Sequence, residues 1–210
     1  MIRILIADDH TIVREGLKQI LQQTPDVDVA DEAGDGEEVI QKVANRDYDL
    51  VLLDISLPGR SGLDILKQLK CMKPALPVLV LSMHPEEQYA IRSIRAGASG
   101  YLTKESASDE LIEAIRRVAR GRRYITSSLA EKMAFQMELD TKKSLHESLS
   151  DREYQVLCMI ASGKTVKEIA EVLSLSVKTI STHRTRVLKK MDMKNNAQLT
   201  HYAIKHGLID

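Results

Sequence analysis

From Ile2 to Gly121 strand-like and helix-like stretches alternate without interruption, and this constrains the chain more than any other feature it has. Strand candidates are Arg3 to Ala7, Val27 to Ala33, Leu50 to Asp54, Val78 to Ser82 and Gly100 to Leu102. Between them amphipathic helices fit Ile12 to Gln22, Glu37 to Asn45, Gly62 to Lys70, Glu86 to Ala96 and Asp109 to Arg120, the last with Leu111, Ile112, Ile115, Val118 and Ala119 on one face. Each parallel return needs a crossover helix. The alternation therefore predicts an α/β unit, a doubly wound parallel sheet of five strands covered on both faces.

The pattern stops at Gly121-Arg122-Arg123. Ser127 to Met137 fits one linker helix, and the polar run from Asp140 to Ser148 reads as a flexible joint. The last sixty or so residues are helical in period with no strand pattern, an all-α unit. Ser150-Asp151-Arg152-Glu153 spells a capping box, with Leu149 and Tyr154 placed as a hydrophobic staple, and Gly163 closes the helix. A second box, Thr165-Val166-Lys167-Glu168, opens a short helix carrying Ile169, Ala170 and Leu173. Ser176 caps a third running to about Met191, and Asn195 to His206 makes a fourth. The short Ser174-Leu175-Ser176 connection makes the middle pair a helix-turn-helix. Three segments follow: 1–121, a linker 122–148, and 149–210.

The formal charge of zero hides a division of labour. Residues 1–120 carry 15 Lys and Arg against 20 Asp and Glu, and residues 149–210 carry 10 against 6. Opposite charge in the two halves predicts different partners for each. No run of about 18 uncharged apolar residues occurs, and Cys71 and Cys158, far apart in sequence, suit a reducing cytosol better than a disulfide framework. A cytoplasmic location is expected. Gly34-Asp35-Gly36 begins like a dinucleotide fingerprint but lacks the third glycine and follows the second strand.

In an open parallel sheet ligands bind beyond the carboxyl ends of the strands, at the point where the winding reverses. Asp8 and Asp9 end the first strand, Asp54 the third and Ser82 the fourth, and Lys104 follows the fifth. With strand order 2-1-3-4-5 the first and third strands are neighbours, and the three carboxylates converge. Their mutual repulsion calls for a hard cation, and Mg2+ takes carboxylates, waters and phosphate oxygens. A carboxylate beside such an ion can attack a phosphoryl donor, with the Lys104 ammonium stabilising charge on the transferring group and the Ser82 hydroxyl donating to a phosphate oxygen.

The third C-terminal helix reads Val177-Lys178-Thr179-Ile180-Ser181-Thr182-His183-Arg184-Thr185-Arg186-Val187-Leu188-Lys189. Val177, Ile180, Val187, Leu188 and Met191 are expected on its inner face. Lys178, Ser181, Thr182, Thr185 and Lys189 form the opposite stripe, where short hydroxyls can approach base edges while Lys and Arg meet phosphates.

Asp8-Asp9, Leu53-Asp54, Leu57-Pro58-Gly59, Ser82 and Gly100-Tyr101-Leu102-Thr103-Lys104 resemble the receiver domain of two-component response regulators, which has the flavodoxin-like fold. Leu149-Ser150-Asp151-Arg152-Glu153, Ile160-Ala161-Ser162-Gly163, Lys167-Glu168-Ile169-Ala170 and Ser176-Val177-Lys178-Thr179 resemble the LuxR-type helix-turn-helix, so that nearly the whole chain is similar to the NarL/FixJ type. The resemblance implies that Asp54 is the phosphoacceptor and that Asp9, Asp54 and the Ser56 carbonyl ligate Mg2+, with Asp8 helping through water. It implies a switch pair in Ser82 and Tyr101, and Lys104 on the phosphoryl group. Ser56 and His84 flank the site. On DNA it implies base contacts from Ser181, Thr182 and Thr185 within a surface of Lys178, Thr179, Arg184, Arg186 and Lys189. Dimerisation follows phosphorylation or DNA binding, with Leu199, Tyr202 and Ala203 as the candidate interface.

The implied function is a phosphorylation-switched transcription regulator whose partners are a sensor histidine kinase and double-stranded DNA. It is no enzyme beyond its own phosphorylation and dephosphorylation. A phosphohydrolase with Asp54 as nucleophile would want a second acid two residues on, where Ser56 stands. A protein- or RNA-binding module is the other alternative, and salt-dependent binding to duplex DNA separates the two.

Overall fold

The computed structural model describes residues 1–58, 60–83, 86–106, 108–131, 133 and 144–209, with the backbone alone for 86–88. Gly59 and His84, both singled out in the sequence, lie outside the described residues, as do 132 and 134–137 of the expected linker helix and 140–143 of the expected joint. The chain forms two compact units, Met1–Glu131 and Lys132–Asp210.

In the first unit β1 (Ile2–Ala7), β2 (Val27–Ala33), β3 (Leu50–Asp54), β4 (Val78–Ser82) and β5 (Gly100–Thr103) alternate with α1 (Thr11–Gln22), α2 (Gly36–Asn45), α3 (Gly62–Met72), α4 (Glu86–Arg95) and α5 (Ser108–Ala119). The strands are all parallel in the order β2-β1-β3-β4-β5. Every residue of β3 and β4 is buried, as strands covered on both faces must be. On one face Ile4, Ile6, Leu50, Leu52, Leu79 and Leu81 pack with Leu17 and Leu21 of α1 and Leu111, Ala114, Ile115 and Val118 of α5.

Register places the strand ends. Ala7 pairs with Leu53, so Asp8 and Asp54 leave the sheet side by side. Ser82 pairs with Thr103, and the next residue, Lys104, donates its backbone N–H to the Ser82 carbonyl at 2.8 Å. Only glycine can open α3 here. A Cβ on Gly62 would lie 2.5 Å from the Asp54 carbonyl oxygen and from the Ile55 Cα, inside any real contact distance, and neither atom can swing away.

The first unit runs past the boundary expected at Gly121. Tyr124 bridges to Gly100 at the edge of β5, its N–H bonds the Ser99 carbonyl at 2.8 Å, and its hydroxyl donates to Glu110 at 3.1 Å. Residues 127–131 are helical, with Leu129 fully buried. A buried tyrosine at the sheet edge thus binds residues that composition alone marks as linker.

The second unit holds α6 (Asp151–Ala161), α7 (Val166–Val172), α8 (Val177–Lys190) and α9 (Asn196–Lys205). Both capping boxes form, Ser150 with Glu153 and Thr165 with Glu168, and Ser176 and Asn195 cap the other two helices through their side chains. Leu149 and Tyr154 are buried where a staple requires them. Gly163 ends α6 at φ +85°, the left-handed conformation that favours glycine. Gly163-Lys164-Thr165 carries the letters that close a phosphate loop, yet Cys158 stands where such a loop needs its first glycine, and the triplet is a helix stop and a cap. The end of the expected joint is structured: Leu145–Ser148 forms a 3-10 turn, and His146 Nδ1 lies 3.0 Å from the Tyr202 hydroxyl.

Candidate functional site

Three strand ends bring their polar residues into one pocket. The side chains of Asp8, Asp54 and Lys104 are only 3%, 2% and 6% exposed, and Lys104 Nζ lies 2.6 Å from Asp8 Oδ2 and 2.7 Å from Asp54 Oδ2. The other Asp54 oxygen accepts the Ser56 N–H at 2.9 Å, and Asp8 Oδ1 accepts the His10 N–H at 2.9 Å. Arg14 on α1 donates to the Asp8 carbonyl at 2.7 Å, fixing the turn that aims the acid. Asp9 is more open, its carboxylate meeting His10 Nδ1 at 2.8 Å. One ligand atom each from Asp8, Asp9, His10 and Asp54 all fall within 4.8 Å of one another.

Burial pushes Asp54 above the ordinary carboxylate range, against the Lys104 ammonium and the Ser56 N–H, while the neighbouring Asp8 charge adds to the rise. Burial pulls Lys104 down, but the two carboxylates outweigh it and hold the ammonium above its ordinary value. The pocket is therefore a desolvated site with one internal cation shared between two acids. Its oxygen-rich donor set fits a hard divalent ion such as Mg2+.

The residues read from the sequence as a site are thus together: Asp8, Asp9, Asp54 and Lys104 share the pocket, and Ser82, fully buried, ends the adjoining strand. Tyr101 is 1% exposed, inside β5. One participant, His10, and one contact, that of Lys104 with Asp8, were not expected. His10 directly follows the acid pair, a metal-capable donor whose position in the sequence is the signal. Lys104 touches Asp8 as well as Asp54, a contact that needs the register of three strands.

In the second unit α8 presents Lys178, Ser181, Thr182, Thr185, Arg186 and Lys189 to solvent. The Ser181, Thr182 and Thr185 hydroxyls each donate to the carbonyl four residues back, at 2.9 Å in every case, which leaves their oxygens outward as acceptors. Thr179 is partly spent on the cap, its N–H bonding Ser176 Oγ at 3.0 Å. Arg184 is half-buried and donates through Nε to Asn196 Oδ1 at 2.7 Å, tying α8 to α9.

Two expectations about this unit are corrected. Val177, expected on the inner face, is 50% exposed, because it opens α8 beyond the turns held by Ile180, Val187 and Met191, which are buried. Leu199 and Ala203, the candidate dimer contacts, have no exposed surface at all; they are core of the second unit, in which α9 packs on α6. Tyr202 is half-buried, stacked on His206 with ring centroids 4.1 Å apart.

Residues 4–116 match the family described as the response regulator receiver domain, and residues 147–203 match the bacterial regulatory proteins of the luxR family. The chain is 39% identical over 209 residues to the response regulator UvrY of Escherichia coli, covering 99% of this chain and 96% of that one. It is 35% identical over 210 residues to the response regulator GacA of Pseudomonas protegens, covering 100% and 99%. Among solved structures, RcsB of Salmonella enterica bound to promoter rprA with the phosphomimetic BeF3− superposes with a TM-score of 0.64 at 26% identity, covering 96% of this chain and 97% of that one. A LuxR-family response regulator from Aurantimonas gives 0.61 at 34% identity over 65% of this chain and 98% of its own. No helix among the described residues is long and apolar enough to cross a membrane. The family pairs a regulatory receiver with a DNA-binding domain and is not a family of catalytic enzymes. An acidic pocket at the end of a 2-1-3-4-5 sheet, a capped helix-turn-helix later in the chain and full-length likeness to such regulators agree: the chain belongs to the two-component response regulators of the NarL/FixJ type, and it regulates transcription through a LuxR-type DNA-binding domain.

Proposed function

We propose that Asp54 accepts a phosphoryl group from the phosphohistidine of a sensor histidine kinase, and that this controls dimerisation and sequence-specific DNA binding by residues 149–210. The observation that carries the reading is the Lys104 ammonium held between Asp8 and Asp54 inside a pocket that also receives Asp9. An Asp54 oxygen attacks phosphorus, the P–N bond breaks, and its electron pair leaves with the imidazole, giving an acyl phosphate. Lys104 turns from the Asp54 carboxylate to an oxygen of the incoming group, and Ser82 donates its hydroxyl to another. A rearrangement of Ser82 with Tyr101 then carries the change to the surface. Asp9, Asp54 and the Ser56 carbonyl would hold Mg2+, with Asp8 acting through water; the ion's contribution is to neutralise charge on the transferring group. The chain's own chemistry is limited to gaining and losing that phosphoryl group, and its setting is the cytoplasm.

On DNA, α8 enters the major groove. Ser181, Thr182 and Thr185 read base edges, and Lys178, Arg186 and Lys189 meet phosphates. The division into receiver 1–121, linker 122–148 and DNA-binding domain 149–210 belongs to the same reading, with the first ten residues of that linker packed as part of the first unit.

Intact-mass measurement after incubation with acetyl phosphate and Mg2+ tests the first step. One labile phosphoryl addition is expected on the wild type and none on Asp54→Ala. The same preparations then bind duplex DNA: tighter binding by the phosphorylated protein is expected, with a salt dependence reduced by about one unit of slope for each of Lys178→Ala and Arg186→Ala. Equal labelling of the Asp54 variant ends the proposal.

A further inference from the structure

Val177 is an exposed apolar residue of α8 that neither the core nor the DNA reading above employs. It is the first residue of the helix and half exposed. Single exposed valines are ordinary on protein surfaces, so its position decides what it does. At about 100° per residue, Val177 lies about 40° from Ser181 and about 60° from Ile180, on the border where the hydroxyl stripe meets the inner face. Its carbonyl accepts the Ser181 hydroxyl at 2.9 Å, so the two side chains are successive steps along one edge of the helix. The Ser176 cap fixes the start of the helix, with Ser176 Oγ 2.8 Å from Thr179 Oγ1, and so holds the isopropyl group in place.

The N-terminal residues of a recognition helix are the ones that reach base edges. Every other exposed side chain on this edge is hydroxyl or cationic and complements a polar groove wall. An isopropyl group does not, and the one apolar feature a major groove offers it is the 5-methyl of thymine. We propose that Val177 determines specificity by packing on a thymine methyl one step along the groove from the base read by Ser181. The assignment rests on α8 being the helix that enters the groove.

Sequences bound by the full-length protein are recovered from a randomised duplex pool, and each thymine of the enriched site is replaced singly by deoxyuridine, which lacks the methyl. At one thymine position this replacement weakens wild-type binding about four-fold, the size expected for a single methyl group withdrawn from water. Val177→Ala binds the two duplexes equally, and Val177→Thr, which keeps one methyl, falls between. Because Val177 is half exposed at the first position of α8, outside the buried Ile180 and Val187, both variants are expected to keep the fold, which unchanged thermal unfolding verifies. If the wild type and Val177→Ala respond alike to every deoxyuridine, the assignment is overturned while DNA binding by α8 stands. A pool from which no sequence is enriched removes the DNA-binding reading, and this assignment with it.

Discussion

In the receiver the functional charges are packed inside: Asp8, Asp54 and Lys104 have side chains 2–6% exposed and depend on one another for solvation. In the DNA-binding unit the arrangement is reversed. Lys178, Arg186 and Lys189 stand in water on α8, while the polar groups that order the helices sit at their ends, Ser150 with Glu153 and Thr165 with Glu168. A site that must concentrate charge on a transferring group gains from excluding water, since electrostatic interactions strengthen as the local dielectric falls. A face that must meet phosphates gains from staying solvated until it binds, because its cations then act by releasing counterions. The cost of substitution should therefore fall unevenly, with the receiver pocket intolerant and the helix face forgiving.

The largest effect is expected at Lys104. Lys104→Met leaves two buried carboxylates with no internal cation, and removing one partner of a buried ion pair costs about 3–5 kcal/mol. Chemical denaturation of the full chain in metal-free buffer, followed by hydrogen exchange of β3 peptides, reads this loss in the first unit. Adding Mg2+ should stabilise the variant more than the wild type, because both acids are then free to meet the ion. A loss of under about 1 kcal/mol, the size typical of a surface pair, would mean that water already reaches the pocket, and the contrast between the units would fail.

Glycine substitutions give a second and smaller comparison. Gly62→Ala drives a methyl group to 2.5 Å from backbone atoms at the end of β3; overpacking against atoms that cannot move costs about 2–3 kcal/mol. Gly163→Ala meets nothing within 4 Å, and only its φ of +85° is unfavourable, a cost of about 1 kcal/mol. Urea midpoints read separately for β3 and for α6 should reproduce that order. Equal costs would show that the close approach at Gly62 relaxes.

Much of this was legible in the sequence, unevenly and for physical reasons. Strand ends and caps are local signals: an acid closing an apolar run, or Ser-x-x-Glu before a helix, states its geometry within a few residues, and the structure repeats the strands to within a residue at either end. Which side of a helix faces inward is not local at the helix ends. Val177 has an apolar side chain three residues before a core isoleucine and is still exposed, because burial depends on how far the neighbouring elements extend. Leu199 and Ala203 sit on an amphipathic helix whose apolar stripe suits a partner chain or its own domain equally well, and packing on α6 decides. The pocket residues are each legible at a strand end, and His10 is marked by following the acid pair; the Lys104 contact with Asp8 depends on the sheet register, which no single segment contains.

The smallest expected effect is also the sharpest separation of the two units, since it concerns the sign of a pH dependence. Burial raises Asp54 above its ordinary value, so the fold prefers the neutral acid. That preference adds stability below the unfolded carboxylate range and is lost as pH rises through the folded value. Asp54→Asn, permanently neutral, should therefore stabilise the first unit at pH 7 in metal-free buffer, with the gain fading on acidification. Glu153 behaves oppositely. Its own burial raises it, but the Lys190 ammonium 2.6 Å away and the Ser150 N–H outweigh this and hold it below the ordinary range. Its contribution is present above the unfolded value and is lost as pH falls through the folded one. Glu153→Gln keeps an oxygen to accept the Ser150 N–H but gives up the charge, so it should destabilise the second unit at pH 7 and match the wild type in acid. With Lys190 partly in solvent the loss is on the order of 1 kcal/mol or less. Hydrogen exchange of β3 and α6 peptides across this range reads the two slopes in one sample; slopes of the same sign would mean that the receiver acid is held by Lys104 as the helix cap is held by Lys190, and that burial does not set the two sites apart.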